Sequence, residues 1–242
     1  MRQTFLVFLL ALFLFAEETS AQSVLISPKV STYTRPKPEF ESKKTFTVRY
    51  PRVKASTPAL SRRIESTLSY SKVLGLNIRE EMSEYQWLEE ADYEILYNKN
   101  GVLTIALTMF GSAAYPSGMQ ETLVIDLKNG NRMLPLNAFV SLPKLAALIR
   151  LAQQAEIVKS LKEIKDDPEN NDVEPDALFE GKSFSVENLR EFAVNDSGVT
   201  FIYDYQFPHV VKALQPEGRY SYSWKDLRLF IKQDGALGKF LR

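Results

Sequence analysis

Residues 198–227 read GVTFIYDYQFPHVVKALQPEGRYSYSWKDL. Phe201, Tyr203, Tyr205 and Phe207 alternate along the first part, and Tyr220, Tyr222 and Trp224 alternate along the last. A period of two puts each set on one face of an extended chain. Between the two runs stands Phe207-Pro208-His209, a corner whose proline ring fixes the local backbone. His209 is the single histidine of the chain. If the two strands are neighbours, their rings form one aromatic layer. Such a layer either packs on a helix, as inward faces of small sheets do, or offers rings to a sugar or a protein partner.

The same mixture of short strands and turns extends towards the N-terminus. Phe192–Asn195 and Val199–Phe207 form a hairpin pattern around Asp196-Ser197-Gly198. Tyr93–Tyr97 and Val102–Phe110 flank Asn98-Lys99-Asn100-Gly101, where Asn-Gly accepts the positive φ of a tight hairpin turn. Thr122–Leu127 continues the strands, and Asn129-Gly130 turns them onto Arg132–Leu134. Phe46, Val48 and Tyr50 share one face of a strand at 45–53. Pro58 opens a helix with Leu60, Ile64 and Leu68 on one stripe, and 80–94 reads as a second helix or an ordered loop. Ser141 is placed to cap a long amphipathic helix that carries Leu145, Leu148, Ile149, Ala152, Ile157, Leu161 and Ile164. Short helices are expected near Val186–Arg190 and Lys225–Ile231. Hairpins with helices inserted between them predict an α+β fold. Its sheet is antiparallel or mixed, built from hairpins, with the long amphipathic helix packed on it.

Residues 1–21 carry a basic start at Arg2, an apolar run from Thr4 to Ala16, and the small residues Ser20 and Ala21. This is the pattern of a secretory signal peptide and predicts a secreted or periplasmic protein with no membrane span after cleavage. Residues 22–42, with three prolines, read as a linker or N-terminal arm, and 43–242 as one domain. The chain has 30 Lys and Arg against 30 Asp and Glu. That balance argues against a dedicated nucleic-acid binder. Cysteine is absent, which removes thiol nucleophiles, iron–sulfur clusters and zinc–thiolate sites. No cofactor or metal is expected, since no glycine fingerprint or phosphate loop follows a strand.

Two segments resemble a family of bacterial envelope domains. Ala113–Val140, AAYPSGMQETLVIDLKNGNRMLPLNAFV, is similar to the family's tyrosine–glycine approach, its Asp-Leu-x-x-Gly strand end and its Leu-x-x-x-Phe helix start. Those elements are Tyr115, Gly118, Asp126, Leu127, Gly130, Leu136 and Phe139 here. Phe192–Leu227 is similar to the family's closing strand, tyrosine-centred corner, proline–glycine stretch and last strand. The family includes RsiV-like anti-sigma factors and the accessory region of PdaC-like peptidoglycan deacetylases. The resemblance implies an α+β envelope domain that binds something, such as a cell-wall glycan or a lysozyme. Family members often carry Gly-Gly-x-His near the position of Tyr115, whereas this chain has Ala113-Ala114-Tyr115-Pro116-Ser117-Gly118. Neither sigma-factor control nor deacetylation carries over, because the parts that perform them are not in this sequence.

The resulting expectation is a non-enzymatic binding domain. Tyr115, Tyr205, Phe207 and Trp224 would supply contact area and His209 a polar anchor, with the Tyr115 loop and the Phe-Pro-His corner on one shared surface. A catalytic His209 would need a nucleophile and an orienting acid, and no nucleophile-elbow pattern occurs. Two alternatives stay open. Glu80, Glu81, Glu84, Glu89, Glu90 and Asp92 could supply a carboxylate pair for glycan hydrolysis or form a solvated face. The protein could also be a purely structural envelope component with its aromatic layer wholly buried. Asp166, Asp167, Glu169, Asp172 and Asp176 lack the spacing of a calcium loop and read as a solvated loop.

Overall fold

The structure is a computed structural model that describes residues 23–83 and 85–242. The expected signal segment, 1–21, lies outside the described residues. The fold is α+β. Six strands form one mixed sheet in chain order: β1 (Leu25–Thr34), β2 (Thr45–Lys54), β3 (Leu88–Lys99), β4 (Val102–Ser112), β5 (Pro116–Asp126) and β6 (Asn131–Arg132). Only β2 and β3 pair in parallel. Three further strands, β7 (Phe192–Val194), β8 (Gly198–Ile202) and β9 (Arg219–Ser223), make a small antiparallel sheet.

β4 explains how the layers assemble. Its side chains alternate between two cores, and both are dry. Leu103, Ile105, Leu107 and Met109 pack with Ile64, Leu68 and Tyr70 under the helix Pro58–Thr67. Val102, on the other face, joins Phe139, Leu145, Ile149, Phe192 and Phe201 between the small sheet and the long helix Leu142–Asp166. Thr104 is the polar member of this run and is fully buried. Its hydroxyl donates to the Val194 carbonyl at 3.0 Å and accepts the Val194 N–H at 3.1 Å. One side chain thus satisfies both backbone groups of Val194, on the outer edge of β7, and ties the small sheet to the face of the large one.

The turn chemistry follows the sequence closely. Asn100 and Gly101 both take positive φ, 50° and 61°, as the β3–β4 hairpin requires. Thr57 caps the helix Pro58–Thr67 by accepting the Leu60 N–H at 3.1 Å. Gly130, at φ +75°, sits beneath that helix. A Cβ there would lie 3.1 Å from Leu60 Cδ1 and 3.2 Å from Ile64 Cγ1, so the glycine lets the helix settle on the β5–β6 turn.

Several expectations need correction. The supposed linker contains β1, ten residues paired antiparallel with β2. The turn that follows is held by Arg35, only 2% exposed, whose guanidinium donates to the carbonyls of Glu81, Lys43 and Leu88 at 2.6–2.8 Å. It also faces the Glu81 carboxylate at 3.5 Å and lies 4.6 Å from the Phe46 ring centre. Residues 80–94 are a short helical turn ending at Ser83 and then β3, whose Glu90 and Asp92 meet Arg49 of β2. Ser141 precedes the long helix but makes no side-chain cap, because it adopts φ +52°. Val186–Arg190 reduces to a 3-10 turn, and Lys225–Ile231 forms turns held by the Phe139–Ile231 bridge. The strand expected to reach Phe207 stops at Ile202. Among the described residues no helix is long and apolar enough to cross a membrane.

Thr104→Val keeps the shape of the side chain and removes both bonds to Val194. It leaves a buried N–H and C=O unpaired, and a loss of about 2 kcal/mol is expected from urea unfolding midpoints. A variant as stable as the parent would show that the small sheet is held by packing alone.

Candidate functional site

The aromatic layer of residues 201–224 divides into a buried part and an exposed corner. Phe201 and Tyr220 are direct cross-strand partners on β8 and β9. Both are buried, as are Tyr205 and Phe207. Tyr205 meets Phe179 edge-on at 5.7 Å and Phe207 meets the same ring at 5.1 Å. These rings fill the space between the small sheet, the long helix and the short helix Pro175–Phe179. Tyr205 and Phe207 therefore cannot supply external contact area, contrary to the expectation from sequence. The sequence shows the alternation but not the helix that covers it.

Under this cover lies a polar cluster that sequence reasoning missed. Glu156 reaches in from the long helix, and its Oε2 accepts from the Tyr205 hydroxyl at 2.8 Å and the Tyr220 hydroxyl at 2.6 Å. The two hydroxyl oxygens lie 2.9 Å apart. Each phenol carries one proton, so three oxygen–oxygen contacts share two protons. Glu156 Oε1 accepts the Gly218 N–H at 3.1 Å. Gly218 has φ +62°, and a Cβ on it would fall 1.9 Å from the Tyr203 carbonyl oxygen. Burial raises the pKa of both phenols well above the ordinary tyrosine range, and the Glu156 carboxylate adds to the rise. The cluster ties the returning strand β9 to the long helix. In sequence Glu156 is one acid among many on a helix surface. Only the arrival of two tyrosines from a distant strand pair gives it this role.

Trp224 is half-buried. Its ring stacks on Phe240 with centres 4.3 Å apart and planes 11° from parallel, and its indole N–H donates to the Asp196 carbonyl at 3.0 Å. One face of the ring and the indole N–H are thus engaged by the protein, so packing takes up much of this side chain.

Tyr115 and His209 remain, and the structure brings them together. Tyr115 lies on the β4–β5 connection and is 65% exposed. His209 starts a 3-10 turn after Pro208 and is exposed. Their ring centres are 5.2 Å apart at a tilt of 47°, although 94 positions separate them in the chain. Val210, beside His209, is 87% exposed, and Phe110 at the end of β4 is half exposed opposite Gly118 of β5. The loop is anchored from below by Trp87, whose indole N–H donates to Ser117 Oγ at 2.9 Å. The corner is braced by Asp204, which accepts the Gln206 N–H at 2.9 Å and faces Lys212 Nζ at 3.2 Å. An open pair of rings on braced loops can stack on a flat ligand surface and offers an imidazole as hydrogen-bond donor or acceptor.

The acid-rich segments are engaged elsewhere. Glu81 accepts the Leu88 N–H at 2.8 Å and faces Arg35, while Glu89 accepts from Ser112. Asp167 caps the 3-10 turn Pro168–Asn170, and Asp176 pairs with Lys165 at 2.7 Å. Among the described residues no group of three His, Asp or Glu side chains converges as a metal site.

Two solved structures share this fold. One is a DUF3298 family protein from Pseudomonas aeruginosa PAO1, with a TM-score of 0.57, 13% identity, and coverage of 88% of this chain and 96% of that one. The other is a DUF3298 family member from Bacteroides fragilis NCTC 9343, with a TM-score of 0.54, 12% identity, and coverage of 91% and 97%. DUF3298 is a bacterial family of unknown function. At these identities the similarity speaks for the fold alone. No family model and no curated protein matches the sequence.

The Glu156 cluster makes stability depend on alkaline pH. A phenol whose pKa is raised by folding contributes stability that is fully present below the unfolded tyrosine pKa of about 10 and is lost as pH rises above it. Urea unfolding should give a constant free energy from pH 7 to about 9 and a falling one above about 10. Tyr220→Phe should be less stable at neutral pH and show a shallower alkaline decline. Equal slopes for the two proteins would contradict this role for Tyr220.

Proposed function

We propose that this protein is a non-catalytic binding domain of the bacterial envelope, secreted or periplasmic, that recognises a cell-wall glycan. The single observation that carries the reading is the exposed pairing of Tyr115 with His209 at 5.2 Å. Two exposed rings from separate braced loops leave apolar area and a polar nitrogen facing solvent together. Sugars are bound by this combination, with an aromatic face against the ring C–H groups and a polar group on a hydroxyl. The fold shared with the two DUF3298 proteins is compatible with a binding domain. A second reading, a wall-acting protein such as a lysozyme as partner, is favoured by Val210, whose apolar side chain stands out into solvent beside the ring pair.

The test is capture by the immobilised protein from soluble wall fragments, with lysozyme passed over separately. Tyr115→Ala and His209→Ala should each weaken glycan binding about tenfold, in line with loss of a central contact worth about 1.4 kcal/mol. Trp224→Ala should lower thermal stability through the lost stack on Phe240 and leave affinity unchanged. Capture of lysozyme alone, lost on Val210→Ala, would replace the glycan by the second reading. Binding retained in both ring variants would remove this surface from consideration.

A further inference from the structure

A second feature lies away from the ring pair and does not depend on the reading above. An open cleft of about 640 Å³ runs between the helix Pro58–Thr67 and the β5–β6 end of the large sheet. Five cations line it: Arg62, Arg63, Lys72, Arg132 and Arg190. The chain as a whole carries equal numbers of basic and acidic residues, so this is a strong local departure. The carboxylate bonded to these cations is Glu121. It faces Arg132 Nη1 at 2.5 Å and Arg190 Nη2 at 3.2 Å. The Arg62 side chain is exposed and pairs with no carboxylate among the described residues. Arg63 donates once, to the Asn129 carbonyl at 3.2 Å, and the Lys72 ammonium donates to Ser66 Oγ at 2.5 Å. Most donors of Arg62, Arg63, Lys72 and Arg190 therefore have no protein acceptor.

The cleft is held in shape rather than being a chance meeting of long side chains. Gly130 seats the helix on the turn. Thr67 Oγ1 bonds the carbonyls of Arg63 and Gly130 at 3.0 and 2.9 Å, and Val73 and Leu123 form an apolar floor. Cations thus arrive from separate elements: Arg62 and Arg63 from the helix and Lys72 from the turn after it have no carboxylate partner, while Arg190 from the 3-10 turn before β7 shares Glu121 with Arg132. A flat carboxylate offers two oxygens in one plane, whereas a phosphate group offers oxygens in three directions. We propose that this cleft binds a phosphate group, carried either by a soluble ester or by a lipid headgroup.

The test uses the whole protein and NMR amide shifts, read at Thr67, Lys72 and Asn131. Titration is made with inorganic phosphate, glycerol phosphate and citrate, and separately with phosphatidylcholine vesicles with and without phosphatidylglycerol. Saturable shifts confined to the cleft, weakened about tenfold by Arg62→Glu or Lys72→Glu and by added salt, are the expected result. Both side chains are exposed, and circular dichroism checks that the variants remain folded. Preference for glycerol phosphate would identify a soluble ester, and binding only to phosphatidylglycerol vesicles a headgroup. Citrate binding as tight as phosphate would overturn the phosphate assignment. Shifts scattered over the surface, no saturation by any phosphate probe, or affinity unchanged in both variants would overturn the site itself.

Discussion

The whole arrangement depends on one strand being dry on both faces. β4 supplies Leu103, Ile105 and Leu107 to one core and Val102 to the other, so neither layer is complete without it. Burial on two faces rewards a continuous apolar run, and a polar residue within such a run must find all its partners indoors. Thr104 does so by bonding the edge of β7. A hydroxyl at this position serves where a methyl would only fill space, because Val194 of the edge strand β7 turns its N–H and C=O towards the large sheet. The positions of the long helix, of β8 and β9, and of the corner they carry all follow from that attachment.

Much of this was legible in the sequence, and the reasons differ from element to element. Asn100-Gly101 and Asn129-Gly130 announce their turns because the backbone needs positive φ there. The long helix is legible from a stripe that runs the length of 25 residues. β1 was hidden because it is an edge strand. Its residues are largely solvent-facing, and Pro28, Pro36 and Pro38 give its surroundings the composition of a linker. The second half of β3 is legible at Tyr93–Tyr97, but its first half, 88–92, was hidden by its acids, which face solvent and Arg49 rather than each other along a helix.

The candidate surface was half legible for a related reason. Alternation groups Tyr205 with Phe207, and both do pack on Phe179 although the strand ends at Ile202, but alternation cannot say whether a face is covered. Phe179 and Glu156, the residues that cover and anchor it, come from segments with no local sign of that role. Tyr115 and His209 lie on turn-rich connections, which predicts exposure for each. Their proximity is a property of the topology, since β5 and the segment after β8 must end side by side for the rings to touch. The same holds for the cationic cleft. Arg62 and Arg63 look like an ordinary helix surface until β6 and the turn before β7 bring Arg132 and Arg190 to it.

One detail of β1 bears on how copies of this protein behave in a crowded compartment. Pro28 stands directly opposite Pro51 in the β1–β2 ladder. Neither can donate a hydrogen bond, so the pair takes a register position where the amides point away from each other. The missing donor of Pro28 therefore falls on the free edge of the large sheet, with exposed Lys29 next to it. Another strand approaching that edge finds a broken ladder and a positive charge, which works against end-on growth of the sheet from one molecule to the next. On the far side, Pro51 cannot donate towards β3, and the parallel pairing is confined to Thr47 and Val48. Pro28, one of the prolines that make this region look unstructured, thus works against pairing of a long exposed strand with a neighbour.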